Sequence, residues 1–386
     1  APILEITSIN LDSGNDYFVP GSEETFSVEI QNLGNSDFAA SDAVLSSDSP
    51  YLEIIDSLST YPSIPVNEVQ EDNSGGFTIS LSDDIIPGIS LLMTIQLVDA
   101  NEIQREITFS LNLGEQTAGD PTSDNSYGYF CFEDDDNSYD LSPEFDWIEI
   151  DPSNGGEGTV LDLYDVDENG SGDFEVINLP FSFTFYGETY NTLTISSNGY
   201  VVLGNYDTVE WMNWPIPSPF MPAPIIAPFW DDLLILNGSV SYLYDAENAR
   251  FIVEWSNLQN RYDHSTETFQ LILYDFSEYP SVTGDNQIKF QYLEVNNNDQ
   301  GNYGDALVDH GEYATIGIGD HTRQRGIEMT YANEYPETAH EIDDNSAMLI
   351  KTISEPQIEP KLLVTNVDVT DLNGNQNNIP DAGERV

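Results

Sequence analysis

From residue 2 to residue 113 apolar and polar positions alternate in short runs. "TFSVEIQN" places Phe26, Val28 and Ile30 on one side, "FTISLSD" places Phe77, Ile79 and Leu81, and "LLMTIQLVD" places Leu91, Met93, Ile95 and Leu97. "ILEITSINL" opens the series, and "REITFSLNLG" with Ile107, Phe109, Leu111 and Leu113 closes it. A period of two with one buried face, broken by Gly, Asn, Ser and Asp turns, predicts strands, and strands at this spacing predict an immunoglobulin-like sandwich over 1–113. No helical period competes.

The segment 114–127, "GEQTAGDPTSDNSY", is small and polar and reads as a linker. From 128 to 354 the pattern predicts one large all-β unit, a sandwich of jelly-roll type. Its strand candidates are "FDWIEI", "FSFTFYG", "TLTISSNGYVVLG", "SVSYLYD", "RFIVEW", "TFQLILYD", "IKFQYLEV" and "YATIGIG". "VSYLYD-AEN-ARFIVEW" reads as a hairpin. The proline-rich stretch 213–232, "NWPIPSPFMPAPIIAPFWDD", is not central strand throughout, because proline lacks the ladder donor, and reads as a loop covering a sheet face.

A repeat links the two ends of the chain. "PILEITSINL" (2–11) aligns with "PKLLVTNVDV" (360–369), matching Leu4 to Leu362, Ile6 to Val364 and Ile9 to Val367. Downstream, "GNDYFVPGSEE" echoes "GNQNNIPDAGE". Residues 355–386 therefore read as the first strand and loop of a second immunoglobulin-like copy, with Leu362, Val364 and Val367 as its interface positions. A lone strand has unpaired backbone groups and an uncovered apolar face, so it needs a partner sheet.

Composition sets the environment. The 386 residues are 39% hydrophobic and 11% aromatic, enough to fill real cores despite a net charge of −60 from 69 acids and 9 bases. Such a surface repels nucleic acid and anionic membranes, and no apolar run is long enough for a membrane helix. Charge at this density calls for counterions, and bound divalent cations or high salt each meet that need. Cys131 is the sole cysteine, so no intrachain disulfide forms, and within "YFCFE" it reads as a small buried hydrophobe. A first residue Ala1 suits a processed, secreted chain as well as a trimmed one.

Oxygen donors at alternate positions around a glycine bend are what Ca²⁺ requires. One such loop offers Asp371, Asn373, Asn375, Asp381 and Glu384. Another, "DVDENGSGDFE", offers Asp165, Asp167, Asn169, Asp173 and Glu175. Ca²⁺ is the expected cofactor at both, against the plainer reading of solvated turns. The first-copy loop keeps only Asp12, Asn15, Asp16 and Glu23. "FEDDDNSYD" stacks Glu133, Asp134, Asp135, Asp136 and Asp140, whose mutual repulsion favours a cation or full solvation. Asp231 and Asp232 read as part of a loop anchored by Trp230. Trp147, Trp211, Trp214, Trp230 and Trp255 could stack on sugars, although core and cover roles are commoner. His264, His310, His321 and His340 have no zinc-ligand spacing. With 69 acids a glycosidase-like carboxylate pair carries no information, and no nucleophile motif of the G-x-S-x-G kind occurs. Asn169 and Asn237 open N-glycosylation sequons, and Asp56-Ser-Leu58 and Asp207-Thr-Val209 have the Asp-Ser/Thr-apolar form of O-glycosylation sites.

The stretches "FDWIEIDPSNGGEGTVLDLYD", "INLPFSFTFYGETYNTLTISSNGYVVLG", "APIIAPFWDDL" and "ARFIVEWSNLQN" resemble β-rich modules of large secreted Bacteroidetes proteins, including gingipain-type peptidases exported by type IX secretion. "SSNGYVVLG…APFWDDL" also resembles a nidogen-type extracellular module. The resemblance implies a secreted, cell-surface, multi-module protein. A gingipain-type peptidase domain carries a Cys–His dyad on an α/β fold, which this chain lacks, so no enzyme is expected. The expectation is a structural subunit or repeating segment of a surface fibre, joined head to tail with copies of itself through the 360–369 strand. The alternatives are a glycan-binding adhesin module or the accessory region of a secreted peptidase.

Overall fold

The computed structural model describes residues 1–353 apart from 74, 84, 125–126, 167–171, 208, 299 and 301–311. The described residues form antiparallel sheets with one short 3₁₀ turn at Pro152–Asn154, and none of their helices is long and apolar enough to cross a membrane.

The first unit carries nine strands. They are β1 (Leu4–Leu11), β2 (Glu23–Asn32), β3 (Ser41–Ser46), β4 (Leu52–Asp56), β5 (Leu58–Tyr61), β6 (Val69–Glu71), β7 (Phe77–Leu81), β8 (Ser90–Asp99) and β9 (Gln104–Asn112). One sheet runs β1-β2-β7-β4 with β6 also on β2, and the other runs β5-β3-β8-β9. Placing strands 1, 2 and 7 against strands 3, 8 and 9 is the partition of an immunoglobulin-like sandwich. The alternation holds: Phe26, Val28, Ile30, Met93, Ile95 and Leu97 all point into the core between the sheets. Ile107 and Phe109, on edge strand β9, are only partly buried.

The second unit opens with β10 (Thr122–Ser123) and β11 (Tyr129–Glu133). Then come β12 (Thr159–Val160), β13 (Phe174–Phe185), β14 (Glu188–Ser196), β15 (Val201–Leu203), β16 (Ile225–Trp230) and β17 (Leu233–Leu234). It ends with β18 (Ser239–Asp245), β19 (Arg250–Asn260), β20 (Thr266–Tyr274), β21 (Ile288–Glu294), β22 (Thr315–Gly319), β23 (Gly326–Thr330) and β24 (Ser346–Thr352). A nine-stranded sheet, β10-β11-β24-β21-β20-β19-β18-β12 with β17 on β19, packs on a six-stranded sheet, β13-β14-β15-β16-β22-β23. The expected hairpin is β18–β19, with Asp245 opposite Arg250.

Four expectations need adjustment. The linker is shorter than 114–127, because Thr122 and Ser123 already pair with β11 and Tyr127 is buried in the second core. "FDWIEI" is no strand. It runs across the outer face of the nine-stranded sheet, and side chains of that sheet meet most of its polar groups, the Ile150 carbonyl accepting from Gly158 N (2.8 Å). Asp146 N donates to Gln291 Oε1 (2.7 Å), Gln291 Nε2 donates to Asp146 O (2.8 Å), Gln270 Nε2 donates to Ile148 O and Ile150 N donates to Glu254 Oε2 (3.1 Å). The proline-rich stretch does cover a sheet face, with Ile216 and Met221 packed on Tyr200, Val202 and Trp230, but its last residues form β16, a strand between β15 and β22. A register shift between Ala227 and Trp230 accommodates Pro228. Finally, every residue of β11 is buried, not every second one. Tyr129 and Cys131 face the second core, and Phe130 and Phe132 face the first unit together with Leu349 and Ile353. The two units thus share an apolar seam, closed by the Tyr51 hydroxyl donating to Ile353 O (3.1 Å).

Candidate metal centre

β11 ends at Glu133, opposite Met348 of β24, and the acidic run continues as a tight turn. Asp134 N extends the ladder to Ala347 O (3.2 Å), and Asp134 Oδ2 accepts from Ala347 N (3.2 Å). Asp136 folds back, its Oδ2 accepting from Glu133 N (2.8 Å), which ties the end of the turn to its start. Phe132 and Tyr139 then stack edge to face on the first-unit side. The turn leaves Glu133 on the other side, nearly buried at 5% exposure, where the loop between β23 and β24 arrives.

That loop brings His340. Its backbone N donates to Glu133 Oε2 (3.0 Å), and its Nδ1 lies 3.0 Å from Asp135 Oδ2 and 3.6 Å from Glu133 Oε2. One ligand atom from each of the three side chains falls within 4.8 Å of the other two. They open on a cavity of about 450 Å³ lined also by Glu341, Asp343 and Asp344. Burial pushes the Glu133 carboxyl up to about 8, with Asp135, Asp136 and Asp134 adding repulsion against the pull of the His340 N–H. Burial also raises Asp136 to about 6. A site of this sign favours a proton or a cation. Sequence spacing did not reveal it, because His340 lies 207 residues from Glu133.

The predicted calcium loop is placed in part. Asp165 is buried, its Oδ2 accepting from Ser197 Oγ (2.7 Å), and Ser197 Oγ in turn accepts from Asp173 N (3.0 Å). Asp173 also accepts from Tyr164 N (2.8 Å) and Phe174 N (2.9 Å), and Glu175 accepts from Asp162 N (3.3 Å). The Asp173 and Glu175 carboxylates thus serve as backbone acceptors and Asp165 as the acceptor of a serine hydroxyl. Asp167 and Asn169 lie outside the described residues, as do Asp371, Asn373, Asn375, Asp381, Glu384, Leu362, Val364, Val367 and His310. In the first-copy loop Asp12, Asn15, Asp16 and Glu23 are all exposed. Asn237 is exposed in the bend before β18.

The "SSNGY…APFWDDL" residues form a buried polar knot. Trp255 Nε1 donates to Ser196 O (2.8 Å), Leu233 N to Asn198 Oδ1 (3.1 Å) and Arg261 Nη1 to Asp232 Oδ2 (2.8 Å). Gly199 bends the chain at φ +74, close against the Phe229 carbonyl. The model of the NIDO-related family matches residues 151–356, which hold this knot, both large sheets' central strands and His340. The chain belongs to the NIDO-related family. No curated protein matches it. Within the NIDO-related unit Trp230 and Trp255 are core residues, whereas Trp214 packs at a tilt on the exposed Phe220 (4.5 Å between ring centres).

Proposed function

We propose that the chain is a non-enzymatic structural segment of an extracellular surface protein, of the Bacteroidetes-type multi-module kind, joined head to tail with like units into a fibre. The observation that carries this reading is the recurrence of the β1 sequence pattern at residues 360–369. β1 is an edge strand, held along its length by β2, with Leu4, Ile6, Ile9 and Leu11 turned to the first core. The same pattern at 360–369 (Leu362, Val364, Val367) suits a second site of β1 type on another unit. The apolar seam supports the mechanical part, since Phe130 and Phe132 of β11 are buried in the first unit's core and tie the two sandwiches together. Ca²⁺ in the loops 165–175 and 371–384 would stiffen such joints further. Deleting 356–386 should abolish end-to-end oligomers in sedimentation and electron microscopy, and undiminished oligomers would sink the strand-addition reading.

A second reading, glycan binding, is favoured by the Trp214–Phe220 pair, whose Phe220 is 62% exposed. Glycan-array binding that disappears in Trp214→Ala would support it.

A further inference from the structure

We propose that Glu133, Asp135 and His340 form a binding site for a borderline divalent transition cation of the Zn²⁺ type, distinct from the calcium loops. Three observations converge.

The first is spacing. Two ligands on a tetrahedral ion at about 2.0–2.1 Å from the metal are about 3.3 Å apart. The His340 Nδ1 separations from Asp135 Oδ2 and Glu133 Oε2, 3.0 and 3.6 Å, bracket that value. The second is direction. His340 Nδ1 is sealed from solvent and makes no hydrogen bond, although a carboxylate oxygen is 3.0 Å away. Atoms that share an ion point at the ion and not at each other, so a close approach without hydrogen-bond alignment is what ligation produces. A plain imidazolium–carboxylate pair would instead aim the N–H at the oxygen. The third is donor chemistry. One imidazole nitrogen with two carboxylate oxygens suits Zn²⁺ and its neighbours in the first row, whereas Ca²⁺ requires six to eight oxygens. Three protein donors leave a fourth position, which the adjoining cavity opens to water.

The placement gives the ion a role. Glu133 follows Phe132 and precedes Tyr139, both packed on the first unit, and Tyr139 donates to Asp120 in the connector. Cross-linking Glu133 and Asp135 to His340 would pin the seam turn to the loop before β24, 207 residues away along the chain.

The test is isothermal titration of the full chain with Zn²⁺ at physiological salt and in excess Ca²⁺, which occupies oxygen-only sites. A single tight equivalent is expected, weakened by at least about tenfold in His340→Ala and in Asp135→Asn, since losing even a supporting partner of a metal ligand costs 10–100-fold. His321→Ala, at an exposed histidine outside the site, should bind as wild type does. Equal affinity of wild type and His340→Ala, or full displacement by Ca²⁺, would overturn the proposal. Should His340→Ala fail to fold, ¹⁵N imidazole spectra of the wild type decide. A Zn²⁺-dependent shift of His340 Nδ1 supports the site, and its absence refutes it.

Discussion

Glu267 offers the sharpest test of how burial sets the energetics of this fold. It lies on β20 with no exposed surface. Its Oε1 accepts from Asn260 Nδ2 (2.5 Å) and Ser265 Oγ (3.3 Å), and its Oε2 accepts from Asn296 N (2.7 Å). Burial pushes its carboxyl from 4.5 up to about 8, and the hydrogen bonds only partly offset it. The folded chain therefore binds this proton more tightly than the unfolded chain. The resulting stabilisation is full below pH 4.5 and is lost as pH rises toward about 8. At 1.36 kcal/mol for each tenfold in proton affinity, the loss is on the order of 5 kcal/mol. Glu267→Gln keeps the shape and removes the ionisation, at the cost of setting its amide NH2 against one of the donors that now face the carboxylate, Asn260 Nδ2 or Asn296 N. Urea unfolding of both proteins at about pH 5 and about pH 8, at fixed ionic strength, isolates the effect, because other buried carboxyls cancel in the difference. The variant should match or trail the wild type at the lower pH and exceed it by several kcal/mol at the higher. The same difference at both pH values would refute the reasoning.

Gly199→Ala places a methyl 1.7 Å from the Phe229 carbonyl oxygen at φ +74, so a loss of about 3 kcal/mol or more, or failure to fold, is expected in thermal melts. Phe132→Ala empties a fully buried site at the seam and should cost about 3–5 kcal/mol, with the single calorimetric transition separating into two as the units uncouple. Tyr51→Phe removes the hydroxyl that donates to Ile353 O across the seam and should cost about 0.5–1.5 kcal/mol in urea titrations. If the acidic loops bind Ca²⁺, chelation at constant ionic strength lowers the melting temperature, and an unchanged melt removes calcium from all of them.

The sequence by itself determined the all-β class, the first sandwich and most strands of the second. A sheet with one wet face writes its orientation as a period of two, and β2 throughout and β8 from Leu91 on obey it. The sequence also pointed to the nidogen-like knot, because "SSNGYVVLG" and "APFWDDL" are each contiguous runs, although the knot's contacts join positions 29 to 59 residues apart. Only the tertiary structure decided where that rule lapses. β11 is buried on both faces because the first unit covers the side that would otherwise be wet. Glu254, Gln270 and Gln291 look like outward-facing polar residues, yet they are buried under the 144–150 segment whose backbone they satisfy. Both arrangements depend on what lies against the sheet, and local periodicity carries no record of that. The metal centre is the extreme case. Glu133 and Asp135 announce themselves as one acidic run, but the imidazole that gives them coordination chemistry comes from 207 residues away, placed by the pairing of β11 with β24 and by the loop that leads into β24.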